Sequence, residues 1–91
     1  MFNSYKIAET ENFLKKLEKK EFQTFKYKLI NFVYPQLKHN PFFGPNIKKL
    51  KGNYKHIYRY RLGNYRLFYS IDQDIVCVFI LDIFPRKDAY N

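Results

Sequence analysis

Gly63-Asn64 separates two runs, residues 57–62 and 65–71, in which side chains alternate at period two. Such alternation marks a strand with one wet and one buried face, and a two-residue glycine-containing link between such runs marks a β-hairpin. This link constrains the fold more than any other feature, because a two-residue turn fixes the register of both strands. Leu62 then pairs with Tyr65, Arg61 with Arg66, and Arg59 lies opposite Phe68. Opposed residues share a face of the sheet. The register therefore gathers Arg59, Arg61 and Arg66 on one face of one hairpin.

The rest of the chain supplies partners for that hairpin. Residues 5–8 read as a first strand. Thr10 before Glu11 is a helix start with an acid in its first turn. Phe13, Leu14 and Leu17 form the apolar stripe of this first helix, and Lys15, Lys16, Lys19 and Lys20 its wet face. Phe22, Phe25, Leu29 and Phe32 recur at helical spacing in a second helix, which Pro35 is expected to end or kink near Tyr34. His39-Asn40-Pro41-Phe42-Phe43-Gly44-Pro45 reads as a loop. After the hairpin, Asp72-Gln73-Asp74 turns into the apolar run 75–84, expected to be a central strand covered on both faces and stopped by Pro85. Residues 86–91 form a short tail that closes into a helical turn. The expected class is α+β: an N-terminal strand and a helical hairpin packed on a small antiparallel sheet, in the order β-α-α-β-β-β, within a single domain spanning residues 1–91.

With 91 residues the core is thin, and aromatics compensate: the chain has ten Phe and nine Tyr. The single cysteine, Cys77, has no internal disulfide partner and is expected to be a buried thiol. No secretion signal or transmembrane run is evident, so a reducing, cytoplasmic setting without a membrane partner is expected.

The formal net charge is +9. Between Phe22 and Ile71 there is no acid, while Lys26, Lys28, Lys38, Lys48, Lys49, Lys51, Lys55, Arg59, Arg61 and Arg66 fall in that stretch. A surface so unbalanced calls for a polyanion, and nucleic acid fits best. Like charges directly opposed destabilise a sheet. Three arginines on one face therefore point to an anion between them, and the planar guanidinium fork suits phosphate. One acid such as Asp82 does not neutralise three arginines. Lys48, Lys49, Lys51 and Lys55, with Tyr54, Tyr58 and Tyr60 nearby, extend a basic, aromatic surface suited to single-stranded RNA. Individually, these tyrosines are read first as sheet packing. Tyr90, near the end of the chain after a proline and two bases, serves no strand. Two scattered histidines, one cysteine and no clustered acids make no metal-ligand set, and no cofactor motif is present.

Ile47-Lys48-Lys49-Leu50-Lys51-Gly52, Tyr58-Arg59-Tyr60-Arg61-Leu62-Gly63-Asn64-Tyr65-Arg66-Leu67-Phe68-Tyr69 and Pro85-Arg86-Lys87-Asp88-Ala89-Tyr90 together resemble the RelE/ParE superfamily of toxin–antitoxin toxins. The resemblance implies a toxin that cleaves mRNA without a metal, at the ribosomal A site, and an acidic cognate antitoxin that joins it in a hetero-oligomer. By motif it implies catalytic roles for Arg59, Arg66, Arg86 and Tyr90, with Lys48, Lys49, Lys51, Lys55 and Arg61 binding RNA. Where some relatives carry a lysine base this chain has Arg59, a residue type that keeps its proton. Lys49, Lys51 and His56 remain as candidate bases. The ParE branch implies instead a DNA gyrase inhibitor, and a third alternative is an inactive binding module of the same fold.

Overall fold

The structure is a computed structural model describing residues 4–54 and 56–88. Tyr90 and Lys55, both expected site residues, lie outside the described residues. Strand β1 (Lys6–Glu9) leads into α1 (Glu11–Leu17), whose cap is Thr10: its Oγ1 accepts the Phe13 N–H at 3.2 Å. A 3₁₀ turn (Lys20–Phe22) connects to a second helical arm built from α2 (Phe25–Lys28), a π turn (Leu29–Val33) and α3 (Tyr34–His39). Then follow β2 (Ile47–Lys49), β3 (Tyr58–Leu62), β4 (Tyr65–Asp72), β5 (Cys77–Pro85) and a final 3₁₀ turn (Arg86–Asp88).

The α+β class and the order of strand, helical hairpin and meander hold. Two features enlarge the expected sheet. It has five strands in the order β1-β5-β4-β3-β2, because the short β2 pairs with β3. It is also mixed, since β1 runs parallel to β5 while the other pairs are antiparallel. The β3–β4 register is the one the Gly63-Asn64 turn dictates: Leu62 faces Tyr65, Arg61 faces Arg66, and Arg59 faces Phe68. Gly63 sits at φ 59°, a left-handed conformation that glycine adopts without strain.

Pro35 does not end the second helix. Proline lacks an N–H and crowds the carbonyl four residues back. The wider π turn directly before α3 relieves that conflict, and the helical arm continues to His39. The same turn changes which residues face inward. The buried positions Phe25, Leu29, Val33 and Leu37 are spaced by four, longer than the α-helical period, and the wider turn absorbs part of the drift. Phe32, expected in the core, is 62% exposed, and Leu14 of α1 is exposed as well.

The helices cover one face of the sheet. Phe13, Leu17, Phe22, Leu29, Val33 and Leu37 pack against Tyr60, Leu67, Tyr69, Val78, Ile80 and Ile83. β5 is central only in its first half; its second half is a sheet edge, because β1 pairs only as far as Ile80. Cys77 is a buried free thiol. Tyr69 is fully buried, stacks on Tyr58 and donates its hydroxyl to the Pro41 carbonyl at 2.7 Å, tying the 40–46 loop to the sheet. Burial, with Tyr58 and Tyr60 adding smaller effects, pushes its ionisation well above the usual phenol range. Tyr69→Phe strands that buried carbonyl. A loss of about 1–2 kcal/mol is expected, lowering Tm by several degrees in thermal denaturation monitored by circular dichroism.

Candidate functional site

The outer face of the sheet carries the arginines. Alternation sends Tyr58, Tyr60 and Leu62 of β3 toward the helices and Arg59 and Arg61 the other way. On β4, Leu67 and Tyr69 enter the core, while Arg66 and Phe68 share the outer face. Two cross-strand rows result. One runs Lys48, Arg59, Phe68, Asp82; the other runs Arg61, Arg66, Phe84. Directly opposed residues have Cβ atoms about 4.5–5.5 Å apart, so Arg61 and Arg66 are immediate neighbours.

Arg66 is the unusual member. It is 6% exposed, the one charged residue buried among those described. Its Nη1 donates to the carbonyls of Gly63 and Tyr65 at 3.0 and 2.9 Å, so the hairpin turn itself holds the guanidinium. Its Nε is buried with no hydrogen-bond partner among the described residues. A buried charged donor left unpaired is costly, on the order of 1–3 kcal/mol or more. The arrangement is a fixed positive group with bonding capacity in reserve, beside a second arginine.

The backbone of Arg86 is fixed against the same turn. Its N–H donates to the Asn64 carbonyl at 2.7 Å, continuing the β4–β5 ladder past Pro85. Asn64, Pro85, Arg86 and Lys87 line an open cleft of about 490 Å³ there. Arg66 on β4 and Arg86, the first residue after β5, thus lie at the same end of the hairpin.

The lysines divide. Lys48 lies opposite Arg59 and shares its face. Lys49 lies opposite Tyr58, with its Nζ 6.0 Å from that ring, on the helix-side face and away from the arginines. Lys51 and His56 are exposed in the β2–β3 connection. Of the three candidate bases, none belongs to the two arginine rows. Sequence reading missed Lys48 as the lysine of the row because β2, only three residues long, gives no alternation to read.

Asp82 is also on the outer face, as the partner of Phe68. Its charge is engaged from α1: Lys16 Nζ donates to Oδ1 at 2.8 Å and Asn12 Nδ2 to Oδ2 at 3.2 Å. The Ile83 N–H adds a 2.8 Å bond to Oδ1. Lys16 also lies 3.7 Å from the centroid of the Phe84 ring. No pattern in the sequence flags this cluster, since its members are 66 or more residues apart. Among the described residues no group of three or more His, Cys, Asp or Glu could hold a metal ion.

Comparisons with known proteins agree with this fold. No curated protein sequence matches the chain. Among solved structures, the RelBE2 toxin–antitoxin complex of Mycobacterium tuberculosis contains a chain 25% identical, superposing with a TM-score of 0.77 over 91% of this chain and 99% of that one. A chain of the archaeal RelE–RelB complex of Pyrococcus horikoshii is 26% identical, with a TM-score of 0.66 over 94% and 99%. The YoeB/ParE toxin of Agrobacterium tumefaciens, at 18% identity and a TM-score of 0.67 over 88% and 97%, shares the fold. The sequence profile of the ParE toxins of type II toxin–antitoxin systems (parDE) matches residues 5–90, nearly the whole length, and the chain belongs to that family, within the RelE/ParE toxins.

Proposed function

We propose that this toxin is a metal-independent endoribonuclease that cleaves mRNA at the ribosomal A site and acts in the cytoplasm. The observation that carries this reading is Arg66: buried, held by two turn carbonyls, and keeping an unpartnered Nε. Attack of a 2′-hydroxyl oxygen on the adjacent phosphorus, with loss of its proton and cleavage of the bond to the next nucleotide's 5′-oxygen, which takes up a proton, gathers negative charge on the phosphoryl oxygens. Preorganised positive charge lowers that barrier without reorganisation during the reaction. Arg66 and Arg86 supply this charge, Arg59 and Arg61 extend it, and Lys48 and Lys51 follow the RNA backbone. Lys55 and Tyr90 join by motif, Tyr90 to stack on or orient a base. The Lys49 side chain lies on the other face and takes no part in the outer-face contacts.

The match to the parDE family profile favours a second reading, inhibition of DNA gyrase. Inducible expression separates the two. Nuclease action produces new mRNA 5′ ends within codons, whereas gyrase poisoning produces DNA cleavage complexes and blocked replication. Under the nuclease reading, Arg66→Ala lowers cleavage about 10²–10³-fold, the usual cost of removing one preorganised donor, and relieves growth arrest. Tyr90→Ala relieves it too. Circular dichroism of both purified variants checks that the fold survives, and full toxicity in both defeats the nuclease reading.

The antitoxin reading rests on an apolar groove that the fold leaves open. Tyr5, Ile7, Ile30 and Tyr34 line it between β1 and the helical arm, with Lys6 and Lys38 along it and Glu9 engaged by the Tyr34 hydroxyl. It adjoins a smaller groove containing Leu14, Leu17 and Lys26. Apolar walls with lysines fit an acidic amphipathic segment of an antitoxin better than a second copy of this basic chain. Ile30 is 65% exposed, so Ile30→Asp leaves the core intact. It should weaken capture by the co-expressed antitoxin at least tenfold in a pull-down titration while toxicity persists.

A further inference from the structure

The outer face holds an acid at the β5 end of a basic row, and the structure keeps that acid occupied. Asp82 pairs across β4–β5 with Phe68, while Arg66 pairs with Phe84 two positions along. Asp82 and Arg66 are therefore diagonal neighbours on one face, about 7–8 Å apart, a separation that long side chains span. Yet among the described residues Arg66 makes no ion pair, and its Nη1 is turned to the carbonyls of Gly63 and Tyr65. The Asp82 carboxylate goes instead to Lys16, at 2.8 Å, with both side chains largely shielded from water.

The acid has work of its own at this place. The β4–β5 ladder shifts register between Phe68 and Tyr69, so that Leu81 is an extra residue in β5. Asp82 stitches that bulge to α1. It accepts from Asn12 and from its own strand's Ile83 N–H, while Thr10 and Asn12 both donate to the Leu81 carbonyl. An apolar residue at position 82 would lose these bonds. A carboxylate keeps them but brings a negative charge next to the group that must receive an anion.

We propose that Lys16 is a positioning residue that resolves this conflict, holding the Asp82 carboxylate away from Arg66 so that the Arg66 charge stays uncompensated by the protein and available to phosphate. The proposal rests on the phosphate-binding reading of the outer face. The Lys16 ammonium lies 3.7 Å from the centroid of the Phe84 ring, and Phe84 is the direct partner of Arg66. Lys16 thus neutralises Asp82 from α1, over the ring of the residue that pairs with Arg66. The local charge on the face then equals that of the arginines rather than the arginines less one.

The test is a two-residue cycle. Lys16→Met keeps an unbranched side chain of similar length and removes the ammonium, with both its ion pair to Asp82 and its contact over the Phe84 ring. Released from Lys16, Asp82 pairs with Arg66. Binding of a short fluorescein-labelled single-stranded RNA, followed by anisotropy, should weaken about three- to tenfold. The dependence of log Kd on log salt should lose about one unit of slope. Lys16→Met combined with Asp82→Asn should regain most of the lost affinity, although it removes one more ion from the fold. A merely structural role for the ion pair predicts the reverse, because the double variant then has no pair to keep and melts no higher than the single. A direct phosphate contact by Lys16 predicts equal weakness in both variants. Either result, or unchanged binding in Lys16→Met, overturns the proposal.

A second readout does not depend on RNA. The Arg66 Nε–H signal in nitrogen-15 NMR of the free protein should shift in Lys16→Met and return in the double variant. If wild-type protein binds no RNA, the phosphate reading fails, and this signal still decides whether Lys16 keeps Asp82 from Arg66. An unmoved signal counts against the guard.

Discussion

The register of one hairpin governs the rest of this molecule. A two-residue turn at Gly63-Asn64 pairs Tyr60 with Leu67 and Arg61 with Arg66. Each strand thereby sends its guanidinium groups to one face and, Phe68 apart, its aromatic and aliphatic side chains to the other. A slip of one residue in either strand would turn that strand's arginines into the core and its apolar residues to water. The apolar face and the basic face are thus the same constraint seen from two sides. The helices bury the first, and in doing so they fix the second.

What the helices leave open follows from how they are built. Their apolar stripe must meet a flat, aromatic sheet face, and Pro35 interrupts the arm that carries it. The π turn keeps Val33 and Leu37 on the sheet and turns Phe32 outward. Ile30 is exposed in the same turn, beside the groove along β1. Tyr34 crosses that groove to donate to Glu9 at 2.7 Å, and burial together with the Glu9 carboxylate pushes its phenol far above the usual range. Backbone accommodation of one proline thus shapes an apolar surface on the side of the molecule away from the arginines.

The sequence discloses what local chemistry decides and conceals what distant partners decide. The hairpin, its register and the common face of Arg59, Arg61 and Arg66 are legible, because a turn and alternation are properties of a dozen consecutive residues. So is the cap at Thr10. The parallel pairing of β1 with β5 is not, since it joins Lys6 to Cys77 and no short-range signal encodes it. Nor is the division of Lys48 from Lys49, which follows only once β2 is docked against β3. The extension of the helical arm beyond Pro35 was hidden for a related reason: packing against the sheet outweighed a strong local breaker. Asp82 was legible as an acid near the arginines, but its capture by a lysine on α1 was not.

That capture bears on how a small domain tolerates a functional charge cluster. Opposed arginines weaken the hairpin that carries them, and a buried guanidinium adds a desolvation cost. Pairing Asp82 with Arg66 would relieve both penalties, and a sequence selected for stability alone would favour it. The structure instead offsets them elsewhere: turn carbonyls solvate Arg66, aromatic packing on the inner face holds the two strands together, and Lys16 satisfies the acid. Strain retained at one site and compensated by its surroundings is the pattern expected where binding, rather than folding, sets the requirement. The unpartnered Nε of Arg66 is the residue of that compromise, a buried hydrogen bond that folding leaves unmade.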